Sequence, residues 1–268
     1  MPQISREVRR LICFGGNGFV GQAIMKAALT HSNVEEIIGV CRSGKIKDNM
    51  HNLTETKGYK DRVQWVKGDI SALISRSESG TDPETWEGLV DESTGVISCV
   101  GMFALSNDTM RMMNGDANKA LVETVKRAGA ERMVFISAYE VEDKLPIPLI
   151  PGYFQGKRMA ENAVKEEFGK KGTILQPGMV YGTRVQGGTN IPLGMIGKPL
   201  EALFSAPGLN QLQHVIPFIG KLAFSPPVSV SDVATAAVLA ATGGLSSPNP
   251  EGATVLDIQA ITTEASKK

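Results

Sequence analysis

Charge imbalance, a cysteine framework, long apolar runs and internal repeats are all missing from this sequence, and each gap closes off a class of protein. Lysines and arginines number 28, aspartates and glutamates 28, so the balance gives no electrostatic case for nucleic acid as a partner. The three cysteines, Cys13, Cys41 and Cys99, are odd in number and have no metal-ligand spacing. They read as buried thiols in a reducing compartment, and no metal site is expected. His214 stands alone and adds no ligand set. No apolar run reaches the roughly 18 residues a membrane span requires. The opening Met1–Arg10, with Arg6, Arg9, Arg10 and Glu7, is too short to be a transit peptide. Without repeats or low-complexity linkers, residues 1–268 read as a single α/β domain.

What is present is alternation. Short apolar runs lead into turns and then amphipathic segments, the pattern of a doubly wound, mostly parallel sheet covered on both faces. The stretch that organises it is LICFGGNGFVG, Leu11–Gly21. A buried strand breaks into glycines and a helix follows over Gln22–Leu29. Gly15 permits the tight turn, Gly18 lets a pyrophosphate approach the backbone, and Gly21 lets helix and strand pack closely. The helix N-terminus presents N–H groups and partial positive charge to the phosphates. Asn17, Phe19 and Val20 complete this dinucleotide cradle.

The second strand, Glu36–Cys41, ends in Arg42-Ser43-Gly44-Lys45. An acidic residue there would hold the 2′-hydroxyl of NAD, whereas an arginine suits the 2′-phosphate of NADP. Arg42, with Ser43 and Lys45 as helpers, points to NADP(H) over NAD(H). Residues 46–62 read as a polar helix or loop. Val63–Val66 is the third strand, followed by Asp69, which meets the adenine edge or caps a helix, and Ile70, which packs on the ring. Ser71–Asp91 is polar, with a helix start at Asp82-Pro83-Glu84. Gly95–Val100 is the fourth strand. Its end, Cys99-Val100-Gly101, is expected beside the nicotinamide ribose.

From Asp108 to Gly129 apolar positions keep helical spacing. Its methionines read as core or helix-interface filler, and Asn114 in mid-helix calls for a partner for its amide. Glu131–Ser137 is the fifth strand. Beyond a proline-containing loop, Tyr153 and Lys157 stand four apart and share one helix face. An ammonium beside a phenol lowers the phenol pKa. Such a tyrosine exchanges a proton with a carbonyl oxygen while hydride moves to or from nicotinamide.

GGNGFVG at 15–21, GDI at 68–70, NGDAN at 114–118, FIS at 135–137, YFQGK at 153–157, QPGMVYG at 176–182 and VSVSDVA at 228–234 together resemble the extended and atypical branch of the short-chain dehydrogenase/reductase superfamily. Within it, NGDAN, FISA and PFIGKLAFSPPVSVSDVA are similar to mitochondrial and plastid members linked to coenzyme Q biosynthesis and to the 39 kDa-type accessory subunit of complex I. The resemblance implies Tyr153 as proton donor, Lys157 as its activator and ribose ligand, and Asn114 as support for a water relay. The hydroxyl is where this chain departs from the pattern. Ala138 stands where extended members place serine, and the candidate Ser137 comes one residue early, on the opposite side of the strand. The loop after the sixth strand (Thr173–Gln176) is implied to close over nicotinamide through Pro177 and Val180.

Residues 183–227 form the variable lobe in such proteins, and here Asn190–Pro227 is apolar and irregular. It reads either as a helical lid with its own small core, or as a greasy surface for a prenylated quinone, a bilayer or a partner subunit. Val228–Thr242 is a helix capped by Ser231 or Asp232, Thr254–Ile258 a last strand, and Thr262–Lys268 a loose tail. The expected protein is an oxidoreductase acting on an apolar carbonyl or quinone-like substrate, in ubiquinone metabolism. The alternative is a catalytically weak, cofactor-holding subunit of a mitochondrial membrane complex. The resemblance places it on the matrix side of the mitochondrion, at the inner membrane, with plastid and cytoplasm as alternatives.

Overall fold

The alternation resolves into one seven-stranded parallel sheet in the computed structural model of the chain, which describes residues 7–47, 50–79, 84–139, 150–186, 189–192 and 227–267. In chain order the strands are β1 (Arg10–Phe14), β2 (Glu36–Cys41), β3 (Val63–Lys67), β4 (Thr94–Ser98), β5 (Arg132–Ile136) and β6 (Gly172–Leu175). The short β7 (Val180–Tyr181), β8 (Thr183–Gln186), β9 (Thr189–Pro192) and β10 (Val228–Ser229) follow, and β11 (Thr254–Leu256) closes the sheet. The spatial order is β11-β6-β5-β4-β1-β2-β3, while β7 pairs with β10 and β8 with β9 outside it. Strand order reverses between β1 and β4. In an open parallel sheet the crevice for a ligand forms at that point, beyond the carboxyl ends of the strands.

Both faces of the sheet are covered. Along β1, Leu11 and Cys13 pack on one side with Ile24, Met25 and Ala28 of α1 (Phe19–Thr30), while Ile12 and Phe14 pack on the other. The elements between are α2 (His51–Thr54), α3 (Tyr59–Arg62), α4 (Ala72–Ser79) and α5 (Asn107–Arg111), with one π-helical turn at Met112–Asp116. The second face is filled by Leu121 and Val125 of α6 (Ala117–Arg127) and by Ala160 and Val164 of α7 (Pro151–Phe168). Each such fully buried Leu or Val side chain contributes about 1.5–3 kcal/mol. On the first face α8 (Val230–Thr242) supplies Val233, Ala237 and Ala241. The C-terminal carbonyls of α1 have no basic residue of their own turn. Arg62 of α3 supplies one, donating to the carbonyls of Leu29 (2.8 Å), His31 (3.1 Å) and Val34.

Local differences from the sequence reading have local causes. The segment 46–62 folds as two short helices, α2 and α3, rather than one element. Ser71–Asp91 contains α4 and a single 3₁₀ turn at Glu87–Leu89, while the expected start at 82–83 lies outside the described residues. Helix α8 is capped by Ser229, whose hydroxyl accepts from the Ser231 N–H at 3.1 Å, rather than by Ser231 or Asp232. The expected loose tail is a helix, α9 (Ile258–Ser266). Asp257 caps it by accepting from Ala260 N at 2.8 Å, and Ile261 is fully buried beneath it. Most of the apolar lobe, including His214, lies outside the described residues.

Candidate functional site

The glycine turn that ends β1 is built so that backbone, not side chains, forms its surface. Gly15 sits at φ +86°, a left-handed conformation costly for any residue with a Cβ. A Cβ on Gly21 would lie 2.2 Å from the Gly15 carbonyl oxygen, so only glycine lets α1 start this close to the strand. The Gly15 N–H donates to Val40 O, which ties the turn to β2. Gly18 is the N-cap of α1 and brings no side-chain cap, so the first-turn N–H groups face outward. Such an end holds an anion, and the turn fits a pyrophosphate. Asn17 does structural work: its amide nitrogen donates to Lys45 O (2.9 Å) and Cys41 Sγ (3.1 Å), and its oxygen accepts from Lys47 N (3.2 Å). The glycine turn and the loop after β2 are thereby one unit.

Above this unit runs a cleft of about 600 Å³ across the ends of β1, β2, β3 and β4. Gly15, Asn17, Gly18, Arg42, Ser43, Asp69, Ile70, Cys99, Val100 and Gly101 all border it, so ten of the expected nucleotide residues are brought together. Arg42 is exposed at the rim. The second basic side chain at the rim is Lys47, not the expected Lys45, whose carbonyl is bound by Asn17. Asp69 accepts from the backbone N–H (3.0 Å) and hydroxyl (2.7 Å) of Ser71, so its cap-like role is present alongside its place in the cleft. Met112 and Met113 also line the cleft, and Met112 is exposed, which corrects their reading as filler. Cys41 and Cys99 are half-buried rather than buried. Phe19 turns away from the cleft: its ring lies 3.2 Å from where a Gly182 Cβ would sit, against the segment after β7. Pro177 and Val180 are buried behind that segment and do not border the cleft.

The far end of the cleft is set by α7. Two glycines bring α7 against the π turn nearly backbone to backbone: a Cβ on Gly115 would lie 2.8 Å from Gly156 Cα, and one on Gly156 2.9 Å from Gly115 N. A π turn of this kind often marks a functional position. It carries Asn114, fully buried, whose amide donates to the carbonyls of Met102 and Met110 (both 2.8 Å) and whose oxygen accepts from Met102 N (3.2 Å). The partner expected for this amide is therefore backbone. Four residues on, Asn118 accepts from Ser98 Oγ at 2.7 Å and donates to Met113 O at 3.0 Å, pinning the end of β4 to the same helix. The sequence reading missed Ser98 and Asn118. The i,i+4 spacing of the two asparagines in NGDAN was the available signal.

Lys157 is buried and donates to Ile136 O at 2.8 Å, with its Nζ 4.6 Å from the Phe135 ring centre and 5.7 Å from that of Tyr153. A Cβ on Gly101 would lie 2.7 Å from Asn114 Oδ1 and 3.3 Å from Lys157 Nζ, so cleft floor, asparagine and lysine converge there. Burial pulls the lysine down to about 8, opposed by the charges of Cys99 and Glu161. The Tyr153 ring stacks on Phe103 at 4.3 Å and keeps some surface. Even so, burial pushes its phenol up, the reverse of the lowering expected from a neighbouring ammonium. The cause is desolvation of the ring, which outweighs any lowering by the ammonium 5.7 Å from its centre. Ser137 does point toward α7, yet its hydroxyl donates to the buried Glu161 at 2.5 Å, one turn past Lys157.

Comparison with known proteins agrees with this geometry. Residues 15–199 match a sequence family described as NAD(P)H-binding. An uncharacterised chloroplastic protein of Arabidopsis thaliana is 34% identical over 230 residues, covering 85% of this chain and 70% of that protein. MIOREX complex component 2 of Saccharomyces cerevisiae is 26% identical over 223 residues, covering 65% of this chain and 73% of that protein. The crystal structure of the terminal R domain from the myxalamid PKS-NRPS biosynthetic pathway superposes with a TM-score of 0.63 at 17% identity, over 95% of this chain and 67% of that one. With a glycine cradle at the switch point of a seven-stranded parallel sheet, the chain belongs to the NAD(P)H-binding family and has a Rossmann-like fold.

Proposed function

We propose that the protein is an NADP(H)-dependent oxidoreductase acting on an apolar carbonyl or a quinone-like substrate. The observation that carries this reading is the convergence of Gly101, Asn114 and Lys157 at the inner end of the nucleotide cleft, with Tyr153 on the same helix face as the lysine. A bound nicotinamide would supply hydride chemistry there. The chain's own part is to orient and to hold a proton. Arg42 and Lys47 would hold a 2′-phosphate, α1 the pyrophosphate, and Lys157 a ribose hydroxyl after leaving Ile136 O. The Tyr153 phenol holds its proton at neutral pH, as donation to a carbonyl oxygen in the reductive direction requires, while its upward shift on burial makes it a weaker acid until bound nucleotide and substrate change its surroundings. Exposed Met102, Phe103 and Met112 around this end favour an apolar substrate.

Titrating the protein with NADPH and with NADH by fluorescence tests the cofactor. Arg42→Asp is expected to weaken NADPH by about tenfold or more, because a charged phosphate contact is lost, and to leave NADH unchanged or tighter, because an acidic residue there suits the 2′-hydroxyl. Equal losses for both nucleotides would remove the phosphate role. In a screen over apolar carbonyls and quinones, Tyr153→Phe should lower turnover by roughly 100-fold or more. Full turnover in that variant would sink the proton-donor role.

A second reading is favoured by one observation: the Ser137 hydroxyl is engaged by Glu161 and Ala138 offers none. On this reading the protein holds the nucleotide as a subunit or assembly factor of an organellar membrane complex, a role to which the name of the yeast relative, a complex component, lends support. The chloroplastic designation of the Arabidopsis relative supports an organellar location, mitochondrion or plastid. A stable monomer with robust turnover on ubiquinone-like substrates would decide for the enzyme.

A further inference from the structure

The chain has three cysteines, and two of them meet beneath the cleft. Cys13 lies on β1, 1% exposed. Cys99 follows β4 and hangs from β1 by its N–H, which donates to Phe14 O at 3.0 Å. Their sulfurs are 4.0 Å apart. Cys99 borders the cleft and is half-buried, so a small solute can reach it, whereas Cys13 is buried and does not border the cleft. The Cys99 sulfur also forms the underside of the glycine turn: a Cβ on Gly15 would lie 3.1 Å from it.

We propose that Cys13 and Cys99 form a reversible intrachain disulfide under the dinucleotide cleft, and that forming it weakens nucleotide binding. The effect on binding rests on the dinucleotide reading above, whereas the bond itself does not. The oxidant is a hydroperoxide, hydrogen peroxide being the simplest. The Cys99 thiolate attacks one peroxide oxygen and the O–O bond breaks. Cys99 is left as a sulfenic acid, and the hydroxide released takes a proton to become water. The Cys13 sulfur then attacks the Cys99 sulfur, forming the S–S bond and expelling the sulfenic oxygen as a second water with the Cys13 proton. Two thiols lose two electrons and one peroxide gains them. A dithiol reverses the step by exchange.

The surroundings divide the two roles. Cys99 is the sulfur at the cleft and meets the peroxide first. Cys13 is held protonated by its contact with Cys99 and by burial, which suits a resolving thiol that is not itself oxidised first. Closing the sulfurs from 4.0 Å to the ~2.05 Å of a disulfide breaks the Cys99 Sγ–H bond to Phe14 O (3.0 Å). It also draws the 99–101 rim away from the glycine turn. Cys41 is held apart by Asn17 and Ser43, and so serves as an internal control.

The test treats the full-length protein with hydrogen peroxide, alkylates remaining thiols with N-ethylmaleimide in denaturant, and maps the peptides by mass spectrometry. The expected product is a cross-linked pair carrying Cys13 and Cys99, with Cys41 alkylated and the cross-link removed by dithiothreitol. In Cys13→Ser the cross-link is lost and dimedone traps a sulfenic acid on Cys99. Full alkylation of Cys13 and Cys99 after peroxide, or a cross-link through Cys41 or between chains, overturns the bond. NADPH titrations of the reduced and oxidised forms read the second half. A dissociation constant raised about tenfold is expected, since a binding constellation tolerates displacements of only ~0.5 Å. Equal affinities of the two forms overturn the effect on binding. Failure of the reduced protein to bind either nucleotide overturns the dinucleotide reading and that effect together, while the peptide map decides the bond by itself.

Discussion

The two ends of the cleft are built on opposite plans. At the glycine end, the groups that would meet a ligand are backbone N–H groups at an uncapped helix start, held open by residues without side chains. At the α7 end, the groups that would do chemistry already have protein partners: Asn114 binds Met102 and Met110, Lys157 binds Ile136 O, and Ser137 binds Glu161. The difference separates what is pre-formed from what must change partners. A nucleotide can dock on the first end without breaking an internal bond. At the second end, on the reading proposed above, Lys157 would have to exchange a carbonyl for a ribose hydroxyl before acting in hydride transfer. An NAD(P)-binding protein can therefore keep the first function intact while the second is weak, and this is the physical basis of the two readings proposed above.

The sharpest way to break the comparison is at Gly21. Gly21→Val puts side-chain carbon onto the Gly15 carbonyl, where a Cβ alone would be 2.2 Å away. Overpacking at a site with rigid backbone on both sides costs about 3 kcal/mol. Urea denaturation should show that loss, and nucleotide titration should show no binding. A variant as stable as the parent that still binds NADPH would mean the cradle is not rigid, and the contrast between the two ends would disappear. Ser137→Ala probes the other end with a smaller effect. It removes a hydrogen bond to a buried carboxylate that otherwise keeps Gln176 at 3.0 Å, a loss of about 2 kcal/mol in stability. Turnover should change less than about twofold, since the hydroxyl is spent on structure rather than on substrate. A large fall in turnover with stability intact would return Ser137 to the chemistry.

The same contrast explains what could be read from the chain. The glycine end was legible because its rules are local: a strand, a turn that needs positive φ at Gly15, and a helix start, all within Arg10–Thr30. The pairing of Tyr153 and Lys157 was legible for the same reason, as an i,i+4 spacing. Lys47 in place of Lys45 was not, because the path of the loop after β2 is set by Asn17, 28 residues upstream of Lys45, which binds both Lys45 O and Lys47 N. The direction of the Tyr153 shift was not legible either, since it comes from burial of the ring, stacked on Phe103 from a distant segment. The contact of Cys13 with Cys99 comes from the parallel pairing of β1 with β4, in which Phe14 sits opposite Ser98. No pattern within either segment announces it. The terminal helix α9 was missed for a simpler reason: Asp257 as N-cap and the buried Ile258 and Ile261 were there to be seen, three residues apart.

The smallest of these effects bears on whether Lys157 is held as described. Its folded pKa of about 8 lies below the ordinary 10.5, so between those values the unfolded chain binds more protons than the folded one. Stability then rises with pH across this window; the buried ammonium is a cost fully present below about pH 8 and relieved as the group discharges. From pH 7 to pH 9 the gain should be about 1 kcal/mol by linkage. Tyr153 acts in the opposite sense, but only above its ordinary value of 10, so measurements kept to pH 9 read the lysine alone of the two. Urea midpoints of the parent and of Lys157→Met at pH 7, 8 and 9, repeated on a Cys99→Ser background to remove the thiol coupled to the lysine, isolate the effect, because groups away from the site titrate alike in both. The parent should gain on the variant as pH rises. Parallel curves would mean that Lys157 keeps its proton in the folded state as easily as in water, and thus that the α7 end is as open to solvent as the glycine end.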